Sequence, residues 1–393
     1  MQSLSKESDA SVQLQSLTPL RGIAALWVVL YHYAVLYLPS LHPENYTQLL
    51  DKGYLAVDLF FILSGFVLAH VYHDAFVRAA GACFWKFLFA RIARLYPLHL
   101  FVLSLFVATE IADRAAQYAE TGNFELIPLE GAQSFTAFIA NLFMLQGLKA
   151  SELSWNYPAW SISVEFMAYL AFPFTLPLIW RGRWFFKLAL GIILLCALAW
   201  LAYWTKDNFN QWDGPKTMLR CLPEFIFGML LYNLYRDAAS PSIMRRDVVL
   251  LSIVLGLVLL LHVGAPDLLI IVLFPVLILA AVRNTGYVAS LINARLLKWL
   301  GDVSYSLYLI HGFVQFVTTK LLTAYSFGDR TELSSLSSFA LTVGMVSASL
   351  LSATITYYAV EKVGRRYLRS VFGVRSAIRL QKSPPIRPQN AYR

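Results

Sequence analysis

Four ionisable residues stand inside segments that are otherwise apolar enough to cross a bilayer: His32, Glu165, Glu224 and His311. Such groups are costly in hydrocarbon and face a bundle interior or a water-filled cavity when they occur there, so each is a candidate for chemistry. Group transfer to a hydroxyl needs a base or nucleophile, a partner that orients it, and donors for the charge that develops. His32 is the first choice as base, because imidazole titrates near neutrality. Glu165 is the expected orienting partner, as a carboxylate is for a catalytic histidine. His311 is a second candidate acid or base. Whether His32 acts as nucleophile or only as base stays open. Intramembrane histidines and carboxylates also build proton relays, so a proton-coupled transporter is the rival class.

Cations stand at the ends of the same segments. Arg21 precedes His32 by eleven positions, and eleven steps of about 100° bring both to one helix face, roughly 16–17 Å apart. An extended phosphopantetheine arm has a length of that order. One reading therefore puts the phosphates of coenzyme A at Arg21 and the thioester at His32. The other is a snorkelling arginine and a histidine hydrogen-bonded within a bundle. In 91-RIARLYP-97, Arg91 and Arg94 share a helix face by their i, i+3 spacing. Arginine is the preferred residue for forked phosphate recognition, although positive-inside anchoring also places arginines at such a boundary. A transporter has little use for three arginines at this level.

Long apolar helices must carry these groups. Of the 393 residues, 58% are hydrophobic and 14% charged, where a soluble domain has about 25% charged. The pattern is that of an all-α integral membrane protein. Ten spans are expected near 20–38, 54–72, 95–112, 158–180, 186–204, 217–235, 247–263, 267–282, 303–322 and 339–360. The stretch 135–148 is short for a span and is expected to be interfacial or re-entrant. With both termini in the cytoplasm, 24 of the 32 lysines and arginines fall on that side, as the positive-inside rule requires. The net charge of +9 then calls for no nucleic acid. Residues 1–17 are expected to be a polar N-terminus without a signal peptide, 18–361 the membrane domain, and 362–393 a basic, Pro-rich tail. That tail is expected on the anionic inner leaflet or disordered. Cys83, Cys196 and Cys221 have no paired spacing, and no metal site is assigned.

At about 1.5 Å per residue, His32, Glu165 and Glu224 fall near 18–20 Å above the inner boundary and His311 near 12–14 Å. The four are expected to converge on one polar chamber. Ser161, Ser163, Tyr305 and Tyr308 are hydrogen-bond donors there, or helix-packing glue. His42, His70, His73, His99 and His262 are taken as structural.

Six stretches, taken in order, resemble the acyltransferase family 3 membrane O-acyltransferases over nearly the whole chain. They are 20-LRGIAAL-26 with His32, 57-VDLFFILSGFVL-68, 91-RIARLYPLHL-100, 158-PAWSISVEF-166, 220-RCLPEFIFGM-229 and 300-LGDVSYSLYLIH-311. By that resemblance, Arg21 and His32 form the family's arginine-ten-His pair and Arg91 and Arg94 its R-x-x-R motif. Asp58, Phe60, Phe61, Ser64 and Gly65 match the FFxxSG element, and Trp160, Ser161, Ser163 and Glu165 the WS-x-S-x-E element. Arg220, Glu224 and Tyr305 join the chamber, as substrate-binding or structural residues. The resemblance implies transfer of an acyl group, usually acetyl, from cytosolic acyl-CoA to a hydroxyl of a glycan or glycolipid facing the other side, in a bacterial inner membrane. A small secondary metabolite such as a macrolide is the alternative acceptor. The sequence departs at 360-VEKVGRR-366, where Lys362 and Val363 replace an expected proline. No SGNH-type domain follows the last span, so the chain is expected to reach its acceptor alone or through a separate extracytoplasmic partner.

Overall fold

The computed structural model describes residues 16–122, 131–148, 154–210, 214–237, 242–325 and 333–373, without side chains at 77–83, 215, 237 and 242. The expectations for the N-terminus before Ser16 and for the tail beyond Gly373 lie outside those residues. The described chain is 87% helix without strands. In a bilayer every backbone polar group must be satisfied within the segment, and a helix does that by itself.

Six helices are long and apolar enough to cross a membrane among the described residues. The first, α1 (Leu17–Leu30), winds into a π-helical stretch, Tyr31–Tyr37, that contains His32. Next come α2 (Asp51–Phe76) and α3 (Phe84–Thr121). Tyr72 and Phe87 have ring centroids 4.9 Å apart. On one straight helix fifteen residues cover about 22 Å, so the continuous helical run Ala56–Thr121 that holds both stretches bends back on itself between them. The short α4 (Phe135–Leu142) is capped by Ser134 and has eight residues, about 12 Å, which is far from a span. Then follow α5 (Trp160–Arg181) and α6 (Trp184–Thr205).

The remaining helices are α7 (Gly214–Asp237), α8 (Asp247–His262), α9 (Asp267–Arg283), α10 (Tyr287–Ile292), α11 (Arg295–Asp302), α12 (Ser304–Ala324), α13 (Ser335–Thr356) and α14 (Lys362–Val371). Four of the ten expected spans fall on α7, α8, α9 and α12, outside the six. Helices α8 and α9 have 16 and 17 residues, below the ~20 that a perpendicular span needs. Helix α7 carries the buried charges Arg220 and Glu224.

Helices α2 and α7 touch backbone to backbone. A Cβ on Gly65 would strike the Phe225 carbonyl, and one on Gly228 the Ile62 carbonyl. Small residues serve membrane helices in this way by letting their axes approach. At the other end of the chain, α13 does not stop at the expected boundary of 361. It passes through a π-helical turn, Tyr357–Glu361, and continues as α14. With Lys362 and Val363 in place of a proline, nothing breaks the hydrogen-bond ladder there.

Candidate active site

A cavity opens among α1, α2, α3, α5 and α12. Two stripes give its wall a register. Tyr157, Ser161, Glu165 and Tyr169 recur every fourth residue along α5 and the 3-10 turn leading into it. Tyr305, Tyr308 and His311 recur every third along α12. Both spacings put side chains on one helix face.

Arg21, Arg91 and Arg94 line the cavity at one end. Arg91 Nη2 donates to Tyr72 OH at 3.1 Å, and its guanidinium lies 5.3 Å from the Tyr72 ring centroid and 6.0 Å from that of Tyr169. Arg94 pairs with the buried Glu361 and lies 4.9 Å from the Tyr305 ring centroid. Ser306 Oγ donates to the other Glu361 oxygen at 2.7 Å. Midway, Glu165 accepts from Tyr169 OH at 2.6 Å, and Ser64 Oγ is 3.4 Å from the same hydroxyl. Further in, Ser161 Oγ and Tyr308 OH are 2.7 Å apart, both within reach of the Pro158 carbonyl. These two side chains form the inner end of the open space.

Beyond Tyr308 stands a histidine pair. The Tyr308 and His311 ring centroids are 5.9 Å apart, and His311 Nε2 is 3.3 Å from His32 Nδ1. His32 Nδ1 also lies 2.8 Å from the Val28 carbonyl. A carbonyl can only accept, so Nδ1 of His32 carries the proton and Nε2 keeps its lone pair. The Tyr157 ring makes T-shaped contacts with both histidines, with centroids 5.0 and 5.8 Å away. The π-helical winding at Tyr31–Tyr37 is what places His32 here, and such bulges occur frequently at functional sites.

This geometry redistributes the expected roles. The orienting contacts of His32 come from Val28 and His311, whereas Glu165 belongs to the arginine side. Along α5, Glu165 is eight residues from Tyr157, about 12 Å. Equal depth in the bilayer does not make two residues neighbours. Of the eight expected chamber residues, Ser64, Ser161 and Tyr305 line the cavity, while Asp58, Trp160, Ser163, Arg220 and Glu224 do not. Asp58 and Arg220 are locked in a buried two-bond ion pair at 2.7 and 2.6 Å, with the Trp160 ring 5.4 Å from the guanidinium. Ser163 accepts from Gly147 N at 3.1 Å and donates to Met144 O at 2.8 Å, pinning the segment after α4. Glu224 lies beside Asp58 and faces a small apolar cleft with Ile62 and Ile271. So the four ionisable groups do not converge on one chamber: His32 and His311 pair behind Tyr308, Glu165 lines the arginine half of the cavity, and Glu224 faces a separate cleft. Among the described residues no cluster of His, Cys, Asp and Glu could hold a metal ion.

Sequence reasoning gave no site role to Tyr157, Tyr169, Tyr72 or Glu361. The first two were open to it, since they extend the Ser161–Glu165 spacing by one turn at each end.

The sequence profile of the acyltransferase domain family matches residues 14–358. Acyltransferase MdmB of Streptomyces mycarofaciens is 26% identical over 386 residues, covering 91% of this chain and 93% of that protein. O-acetyltransferase OatA of Staphylococcus aureus is 24% identical over 328 residues, covering 76% of this chain and 50% of OatA. Protein 2 in the picA locus of Rhizobium radiobacter is 43% identical over 89 residues, 23% of this chain and 41% of that protein. No solved structure matches.

Proposed function

The chain belongs to the acyltransferase 3 family and is a multi-pass membrane acyltransferase, and from that premise we propose that it carries an acyl group, acetyl by preference, from cytosolic acyl-CoA to a hydroxyl of a cell-envelope or exported glycan or glycolipid. The observation that carries this reading is a cavity lined by three arginines at one end and by Ser161 and Tyr308 at the other, with the His311–His32 pair packed behind Tyr308 and His32 Nδ1 engaged by the Val28 carbonyl. Arg21, Arg91 and Arg94 hold donor phosphates. The pantetheine arm runs past Glu165 and Ser161, and the thioester meets His32. Nε2 takes the proton of the acceptor hydroxyl as its oxygen bonds to the thioester carbon, the resulting imidazolium is steadied through Nδ1 by Val28 O and His311, and the C–S bond then breaks as Nε2 returns the proton to the departing coenzyme A sulfur. Ser161 and Tyr308 supply hydroxyl donors where charge develops on the thioester oxygen. Glu165 and Tyr169, hydrogen-bonded to one another, position the arm within the arginine half.

Arg91→Ala tests the donor end. It is expected to raise the KM for acetyl-CoA while the folded yield stays near that of the unsubstituted protein. A charge-assisted contact contributes about 1.5–3 kcal/mol, or roughly ten- to a hundredfold. An unchanged donor KM with a lost folded yield would mean that these arginines only anchor the topology.

The proposal also sets the protein in a bacterial inner membrane with ten spans and both termini in the cytoplasm. A reporter fused after Arg183 should then read as cytoplasmic, and one between Lys206 and Lys216 as external. If α4 and its neighbours crossed the bilayer, both reporters would read the opposite way. Labelled acetyl-CoA supplied to membranes should label a glycan or glycolipid fraction; label confined to a small metabolite would replace that acceptor class.

A further inference from the structure

We propose that Arg365 and Arg369 of α14 seat the 3′-phosphate of coenzyme A, completing a phosphate site that Arg21 and Arg91 begin; this rests on the donor reading above. Neither residue belongs to the arginine motifs that the sequence singles out.

The packing of α14 makes the case. Glu361, Arg365 and Arg369 follow one another at four-residue steps, which sets them along one face. That face is turned to α3. Glu361 pairs with Arg94, Gly364 packs against the Pro97 ring, and the Phe372 ring stacks on Phe89 with centroids 4.4 Å apart. The helix is thus held on both sides of the turn that bears Arg91 and Arg94. Arg21, Arg91 and Arg365 all lie within electrostatic range of Arg94, and Arg91 and Arg365 within range of Arg369.

Five guanidinium groups gathered in this way repel one another unless anions come between them. Among the described residues only Arg94 of the five has a carboxylate partner. The Nε–H groups of Arg91 and Arg369 are buried and make no hydrogen bond among the described residues, and buried donors are expected to have a partner. A phosphomonoester carries about −1.5 to −2 charges at neutral pH and offers three acceptor oxygens. It therefore meets both needs. Order along the cavity selects which phosphate goes where. Moving away from the histidines, the cations come as Arg94 beside Tyr305, then Arg91 one turn out on α3, then Arg369 beside Arg91. The 3′-phosphate is on the adenosine end of coenzyme A, farthest from the thioester, and so takes the outermost seat.

A basic amphipathic helix can also rest on anionic lipid, with its charges turned to the headgroups. Here the exposed Arg366 fits that role, while Arg365 and Arg369 are half-buried against α3. Because lipid headgroups share the phosphate chemistry, the test must separate the two sources.

Calorimetric titrations with coenzyme A and with dephospho-coenzyme A, which lacks the 3′-phosphate, do so on the full chain in phosphatidylcholine nanodiscs. Arg365→Gln/Arg369→Gln is expected to weaken coenzyme A at least about tenfold and to leave dephospho-coenzyme A nearly unchanged. Should the double variant fail to run as a monodisperse particle, Arg369→Lys, which keeps the charge and loses the fork, is read in the same way. Equal weakening of both ligands would overturn the 3′-phosphate assignment. Unchanged binding of coenzyme A would overturn the site, and loss of preference for phosphatidylglycerol nanodiscs in the same variant would assign the arginines to lipid. Either result leaves the donor reading standing. No binding of coenzyme A by the unsubstituted protein would overturn both.

Discussion

His32→Gln is expected to abolish acyl transfer with little effect on the fold. Glutamine keeps a side-chain N–H that can reach the Val28 carbonyl, the contact that fixes His32 Nδ1 at 2.8 Å. It supplies no lone pair of suitable basicity where Nε2 stands. The substitution therefore removes the base and preserves the hydrogen bond, so lost activity reports on chemistry rather than on packing. A positioned acid–base group contributes about 10²–10⁴ in rate, and more if it is also the nucleophile. The readout is glycan or glycolipid acylation in membranes, normalised to folded protein. Should the variant keep more than about a tenth of the activity, far short of that range, His32 is not the base and His311 takes its place. His311→Gln provides the comparison. As the residue that touches His32 Nδ1 rather than the free Nε2, it should slow the reaction less than His32→Gln does.

The sequence was most legible where one helix carries the whole signal. Arg91 and Arg94 lie on a single α-helical segment, so 3.6-residue periodicity alone sets them on one face; Arg21 and His32 also share a segment, but the π-helical winding at Tyr31–Tyr37 decides where His32 stands. The Tyr157–Tyr169 stripe was open to the same reading. What could not be read is which helix faces which. His32 and His311 are 279 positions apart, and depth estimates put them at different levels. A depth along the bilayer normal carries no information about the angle around it. For the same reason Glu165, level with His32, was assigned to it, although it sits two turns of α5 away. The end of α13 was opaque for another reason. The missing proline near Glu361 was visible as a departure, but its consequence depends on a π-helical turn that carries the helix on and brings α14 against α3. Intramembrane charge was the last ambiguity. Cavity-lining arginines and a locked one look alike in the sequence, and only the structure separates Arg91 from Arg220.

That distinction carries the remaining prediction. Arg220→Met should be the most damaging substitution for stability among the residues considered. Both Arg220 and Asp58 are fully buried, their two hydrogen bonds are 2.7 and 2.6 Å, and Arg220 Nη2 donates a further one to the Tyr54 carbonyl at 2.9 Å. Glu224 lies alongside. Removing the cation leaves two carboxyl groups side by side between α2 and α7, next to a backbone contact at Gly65 and Gly228 that has no room to relax. Breaking a buried pair by deleting one partner costs about 3–5 kcal/mol, because the other charge stays desolvated. Asp58→Asn should cost less, since Glu224 remains to face Arg220. Replacing both partners, as in Asp58→Leu/Arg220→Met, should restore part of the loss, because an apolar pair leaves less buried charge uncompensated. The measurement is the free energy of unfolding in a mixed-micelle SDS titration for the three variants. An Arg220→Met protein that unfolds with the unsubstituted one, or a double variant worse than either single one, would mean that the pair does not hold this crossing. The cation would then be available to the cavity, and the division drawn here between the arginines that bind and the arginine that braces would fail.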